Sequence, residues 1–143
     1  LVEHSFGIIP LKNTSEGVEM LLVKHASGDH WGFPKGHQER DINSIEVAKR
    51  ELLEETNLLV DYFLSLSPFR EEYTFNHKEK GKVNKIVEYY LAFVEGELKI
   101  DHNEILEARF VPIEQALDLA THDQTKEVCK KAIIYLLKNY FGG

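Results

Sequence analysis

One cysteine, one methionine, one tryptophan and four prolines are all that the 143 residues hold of those types. Cys129 has no partner for an intramolecular disulfide, which excludes a disulfide-stapled scaffold, and no Cys cluster offers zinc-ligand spacing. No apolar run approaches the roughly 20 residues of a membrane span, and no secretory apolar segment opens the chain. Positive charge is also scarce: Lys plus Arg is 17 against 24 Asp plus Glu, a net −7. Such a surface repels polyanions, so no stable nucleic-acid partner is expected and a polyphosphate ligand needs a local basic patch or bound cations. With no repeat, low-complexity stretch or Pro-rich linker, the expectation is one domain over residues 1–143, monomeric and in a reducing, cytoplasmic setting.

Apolar residues make up 43% and charged residues 29%, values of an ordinary globular core and surface. Ser5 to Leu11 and Val18 to His25 read as strands joined by a polar turn, Lys12 to Gly17. Ser27 to Gly36, with three glycines and a proline, reads as loop. Ser44 to Thr56 lacks Gly and Pro and spaces Ile45, Ala48 and Leu52 helically, with Asn43 or Ser44 as cap. Leu58 to Leu66, Phe69 to Phe75, Lys85 to Val94 and Ala108 to Val111 read as strands. Pro112 suits the first turn of a helix to about Ala120, and Thr121 or Asp123 can cap a last helix ending near Gly142. The polar stretch Asn76 to Asn84 reads as a mobile loop. Strands surrounding a few helices give an α/β (α+β) class with a mixed sheet and helices on its faces.

The helix at Ser44 to Thr56 carries chemistry. With Ile45 at zero, Leu52 and Ala48 fall at about 340° and 300°, and Glu55, Glu51 and Glu54 at about 280°, 240° and 180°. Glu51 and Glu55 therefore border the apolar arc, where like charges four residues apart repel and lose hydration. A hard divalent cation relieves that conflict, because Mg²⁺ or Mn²⁺ takes carboxylate oxygens and keeps sites for a phosphate ligand.

From Gly36 to Leu58 the chain resembles the Nudix box, G-x5-E-x7-R-E-U-x-E-E-x-G-U, with Gly36, Arg50, Glu51, Leu52, Glu54, Glu55 and Leu58 on the pattern at its spacing. Ile42 replaces the first glutamate and Asn57 the second glycine. Asn57 is a mild change, since Asn is the usual second choice for a left-handed helix C-cap. The lost glutamate pairs with the box arginine in the family, so Arg50 is expected to lean on Glu46, Glu54 or Asp41. The resemblance implies a Nudix α/β/α sandwich that hydrolyses a nucleoside diphosphate linked to another group. It implies Glu51 and Glu55 as metal ligands, Glu54 as a further ligand or the water-activating base, and the Lys35 main-chain carbonyl as another ligand, with Gly36 permitting an unusual backbone geometry.

The run His30-Trp31-Gly32-Phe33-Pro34-Lys35-Gly36-His37 is similar to the segment before the box in asymmetrical diadenosine tetraphosphate hydrolases. By that resemblance Glu104 is an extra ligand or base, and Glu54, Glu104 and Arg50 form the catalytic set. Lys35, Lys85, Lys82 and Arg70 would supply positive charge, His30 a hydrogen bond, and Tyr73 or Phe75, less so Tyr90, a stacking surface worth roughly 1–3 kcal/mol per base. His37 could also donate to phosphate, whereas His4, His25, His77, His102 and His122 read as incidental and Cys129 as a packed thiol. The implied activity is Mg²⁺-dependent (or Mn²⁺-dependent) cleavage of diadenosine tetraphosphate to ATP and AMP. Alternatives are RNA 5′-pyrophosphate or diphosphoinositol polyphosphate hydrolysis, which a more basic surface would suit, and a nucleotide-binding Nudix module without turnover, suggested by Ile42.

Overall fold

The structure is a computed structural model that describes residues 1–141; the expected helix end near Gly142 lies outside them. Its strands are β1 Val2–Thr14, β2 Gly17–His25, β3 His30–Gly32, β4 Lys35–His37, β5 Leu59–Phe63, β6 Phe69–His77, β7 Gly81–Glu95 and β8 Ile105–Pro112. The helices are α1 Ser44–Thr56, α2 Ile113–Leu119 and α3 Asp123–Leu136, and a π-helical turn, Leu137–Phe141, follows α3. All eight strands join one mixed sheet, in the order β3-β2-β1-β7-β5, with β4 on β1, β6 on β7 and β8 on β2.

The sheet is apolar on both faces because β1, β2 and β7 carry near-continuous hydrophobic runs. Ile9, Leu11, Met20, Leu22, Val87, Tyr89 and Leu91 point to the face covered by α2 and α3. Phe6, Ile8, Leu21, Val23, Tyr90 and Ala92 point to the other face, where Val47, Ala48 and Leu52 of α1 cover them. Period-two alternation along each strand thus builds an α/β/α sandwich. Pro10 fits within β1 because one edge of that strand pairs first with β4, at Ser5 to Gly7, and then with β2 from Leu11 onward. Pro10, with no N–H to donate, falls between those partners.

Helix α1 has the expected bounds. The Asn43 side-chain oxygen accepts from Glu46 N at 3.0 Å, and Asn57 closes the helix in the left-handed conformation (φ 68°), its N–H donating to Leu53 O at 2.9 Å. The loop after β7 then satisfies the helix's last carbonyls: Lys99 N donates to Thr56 O and Asp101 N to Glu55 O, at 2.9 and 3.0 Å. Cys129 is a packed thiol, 3.7 Å from Met20 Sδ, with burial pushing its pKa up to about 12.

Several expectations are corrected. The stretch read as loop, Ser27 to Gly36, contains β3 and the start of β4, whose partners β2 and β1 lie elsewhere in the chain. Asn76 to Asn84 is no mobile loop but the end of a long β6–β7 hairpin, paired out to His77 and Gly81. Neither Thr121 nor Asp123 caps α3: His122 stands at the N-cap without a side-chain cap bond, and Thr121 Oγ1 accepts instead from Trp31 N at 2.8 Å.

Candidate functional site

The α1 glutamates reach a cavity of about 360 Å³ between α1, β4 and the loop leading to β8. Glu51, Glu54, Glu55 and Glu104 line it together, as do Lys35, Gly36 and His37. Glu51 and Glu55 project from successive turns of α1, and the bond of Asp101 N to Glu55 O draws in the loop that carries Glu104. Gly36 leaves room for the Glu51 carboxylate, which a side chain at this position would have to displace. The expectation of an unusual backbone at Gly36 is therefore corrected: its φ is not among the positive ones, and space, not conformation, selects glycine.

Electrostatics mark the pocket. Glu55 is 4% exposed and its Oε1 has no hydrogen-bond partner among the described residues. Burial, reinforced by the neighbouring Glu51 carboxylate, pushes the Glu55 pKa up to about 9, and burial also raises that of Glu51. Arg50 stands outside the cavity lining. It pairs with Glu39 through Nη2 and lies 3.8 Å from Glu54 through Nε, while Glu46 pairs with Lys49. Of the expected partners only Glu54 is met, and Glu39, just before a turn at residues 40–41 in which Asp41 is left-handed (φ 65°), takes the place of the missing glutamate. Ile42 packs its side chain against the α1-side core.

Beyond Lys35 the cavity continues into a cleft of about 580 Å³ lined by Lys35, His37, Tyr73, Phe75, His77, Lys80, Lys85 and Glu3. The sheet register explains this grouping: Lys85 lies opposite Glu3 on β1 and Tyr73 on β6, and directly paired residues share a face. Burial, with the Lys35 ammonium second, pushes the Lys85 pKa down to about 8. Tyr73 is half-buried and Phe75 is 37% exposed, with ring centroids 6.2 Å apart. Lys82 and Arg70 stand on the opposite face. Lys82 is three residues from Lys85 on β7, Arg70 pairs with Glu72 at 2.9 Å, and neither lines the cleft. Tyr90 is in the core, its hydroxyl 2.8 Å from Ser44 Oγ.

His30 lies on the far side of Lys35, facing a 180 Å³ cavity with Glu71, Tyr73, His122 and Thr125. Its ring stands 5.0 Å from that of His25 and 5.0 Å from that of His122. His25 Nε2 donates to Phe33 O at 3.0 Å, and burial, with Lys35 second, pushes its pKa down to about 3, so the ring is neutral. In the same cavity Thr125 Oγ1 donates to the buried Glu71 at 2.7 Å. The residues that the sequence did not single out are thus His25, His122 and His77, read as incidental, and Ser5, Glu3, Lys80, Glu71 and Asp101. Only the alternation Glu71, Tyr73, Phe75 along β6 signalled any of them.

A catalytic-type helix bearing Arg50, Glu51, Glu54 and Glu55 after a Gly36 wedge, set on a mixed α/β/α sandwich, is matched by the family model of the NUDIX domain over residues 3–132. The chain belongs to the Nudix family. The asymmetrical bis(5′-nucleosyl)-tetraphosphatase of Rattus norvegicus is 30% identical over 83% of this chain and 81% of its own length. The Mus musculus protein of the same name is 30% identical over 90% and 87%. Among solved structures, the Ap4A hydrolase of C. elegans in a binary complex superimposes with a TM-score of 0.74 at 23% identity, covering 94% of this chain and 98% of that one. That last likeness shows the Nudix fold.

The pocket's anionic donors are the carboxylates of Glu51, Glu54, Glu55 and Glu104, with no thiol among its lining residues, a set suited to a hard divalent cation rather than to a thiophilic metal. The orphaned Glu55 Oε1 and the raised carboxyl pKa values express an excess of buried negative charge that such a cation offsets. Among the described residues no group of three or more His, Cys, Asp or Glu side chains converges closely enough to hold an ion by itself. No described helix is long and apolar enough to cross a membrane.

Proposed function

We propose that the chain is a Mg²⁺-dependent hydrolase of dinucleoside polyphosphates that cuts diadenosine tetraphosphate asymmetrically to ATP and AMP. The observation that carries this reading is the continuity of the site: a carboxylate pocket with Glu51, Glu54, Glu55 and Glu104 opens past Lys35 into a cleft with Lys85 and flanking Tyr73 and Phe75. A charged phosphate chain, with a nucleoside at one end and a scissile phosphate at the other, fits that sequence of environments. The names of the rat and mouse relatives point to the same substrate class.

Glu51 and Glu55, with the Lys35 carbonyl, would hold Mg²⁺ or Mn²⁺, which supplies charge neutralisation for the phosphates. Glu54 or Glu104 takes the proton from the attacking water as general base. Arg50, tied to Glu39 and Glu54, orients the helix carboxylates from outside the pocket. Lys35 and Lys85 bind phosphate oxygens, His30 orients Lys35's surroundings from the adjoining cavity, and Tyr73 or Phe75 stacks on a base. Lys82 has no part in this reading. One monomeric Nudix domain in a reducing, cytoplasmic setting suffices for it.

Turnover of diadenosine tetraphosphate should require Mg²⁺ and be abolished by Glu55→Gln with the fold intact by circular dichroism. Wild-type activity in that variant would sink the metal assignment.

A further inference from the structure

Within the lysine-lined cleft stands a carboxylate that a polyphosphate site has no evident use for. Glu3, on β1, lies directly opposite Lys85 in the sheet register, and its Oε2 accepts from Lys80 Nζ at 3.0 Å. Lys80 is aimed there by its turn: His77 Nδ1 accepts from the main-chain N–H groups of Glu79 and Lys80 at 3.1 and 3.2 Å, and Gly81 adopts φ +76° to start the return strand. Lys80, Lys85 and His37 all act on Glu3 to keep it ionised.

The pair is weakly held. Lys80 and Glu3 side chains are 49% and 20% exposed, and partly exposed single ion pairs contribute little to stability and are screened by salt. A carboxylate with one charge occupies the position that a more highly charged phosphate would take among the same cations.

Building on the reading of the cleft as a polyphosphate site, we propose that Lys80 is a further substrate-binding residue, which engages the phosphate chain away from the glutamate pocket, and that Glu3 is the internal counter-ion it exchanges for phosphate. Glu3 then works against every anion entering the cleft, and only a chain long enough to reach Lys80 recovers the contact. The pair thereby favours long phosphate chains over short ones.

The test is binding of inorganic tripolyphosphate to the metal-free protein by calorimetry, with Glu3→Gln, Lys80→Gln and the wild type, beside KM for diadenosine tetraphosphate with Mg²⁺. Glu3→Gln should tighten tripolyphosphate and lower KM about three- to tenfold, and Lys80→Gln should weaken both by a similar factor, with kcat unchanged in each. Opposite signs are expected from charge alone, so the signature is non-additivity: the gain from Glu3→Gln should fall to well under half when Lys80 is already Gln, and equal gains in both backgrounds would overturn the exchange. Changes of the same sign, or none, would overturn the proposal. If the wild type fails to cleave the dinucleotide, the substrate assignment falls, while the tripolyphosphate measurement still decides the roles of Glu3 and Lys80.

Discussion

At the scale of single residues, Glu55 couples burial to chemistry. Its carboxyl pKa rises in the fold from the usual 4.5 to about 9, so the folded state holds a proton that the unfolded chain releases. That contribution to stability is fully present below pH 4.5 and is lost as pH rises toward 9. Metal-free protein should therefore lose thermal stability over this range, and Glu55→Gln should flatten the loss; an unchanged slope in that variant would assign the effect elsewhere. Metal entry must expel the proton, so Mg²⁺ binding near neutral pH should release protons and weaken with acidification, which calorimetry in buffers of different ionisation enthalpy would record. His25 has the opposite sign: its pKa falls from 6.5 to about 3, so stability is lost as pH drops below 6.5 and the unfolded chain takes up a proton that the fold refuses. Gly36→Ala places a methyl group against the Glu51 carboxylate. Turnover should drop by more than about tenfold with little change in the melting temperature, because the displaced group is the pocket-lining Glu51 carboxylate, a proposed metal ligand, rather than a core side chain.

At the scale of elements, the bounds of α1 were legible because their signals are local, Asn43 capping it and Asn57 ending it, whereas the apolar spacing caught Ala48 and Leu52 of its buried face but not Val47. Replacing Asn57 by Ala should cost about 1–2 kcal/mol in chemical denaturation, from the left-handed φ and the lost bond of Asn57 Nδ2 to Glu97 O. The short strands β3 and β4 were illegible because nothing within His30 to His37 announces partners on β2 and β1. The outer part of the β6–β7 hairpin was hidden for another reason. Lys, Glu and Asn on both of its faces remove the alternation that marks a strand, and pairing His77 with Gly81 depends on a turn clamped by a histidine side chain. That hairpin also decides the lysines: its register sets Lys85 opposite Tyr73, and the odd spacing then turns Lys82 away. The substitute partner Glu39 for Arg50 was likewise unreadable, since it lies eleven residues away in the loop before α1, outside the helical spacings that suggested Glu46 and Glu54.

At the scale of the whole molecule, a chain of net −7 presents a lysine-lined cleft beside a carboxylate pocket. Local positive charge governs binding at contact distance, while the overall charge disfavours long polyanions. Raising ionic strength should therefore raise KM for a dinucleoside polyphosphate without a matching fall in kcat, and a salt-independent KM would argue against the lysine cleft as the phosphate site. The aromatic side chains of β6 and the carboxylates of α1 come from opposite sides of the sheet and meet at Lys35, which borders all three cavities. The active geometry is thus a property of the complete sandwich and not of the helix alone.

Asymmetric cleavage of a dinucleoside polyphosphate is tested most directly by product analysis on anion exchange, with diadenosine tetraphosphate, triphosphorylated RNA and a diphosphoinositol phosphate each incubated with and without Mg²⁺. Mg²⁺-dependent ATP plus AMP, formed much faster than products from the other two, is the expected result. ADP as the sole product, equal or faster cleavage of the other substrates, or no cleavage by folded protein with Mg²⁺ present would contradict it.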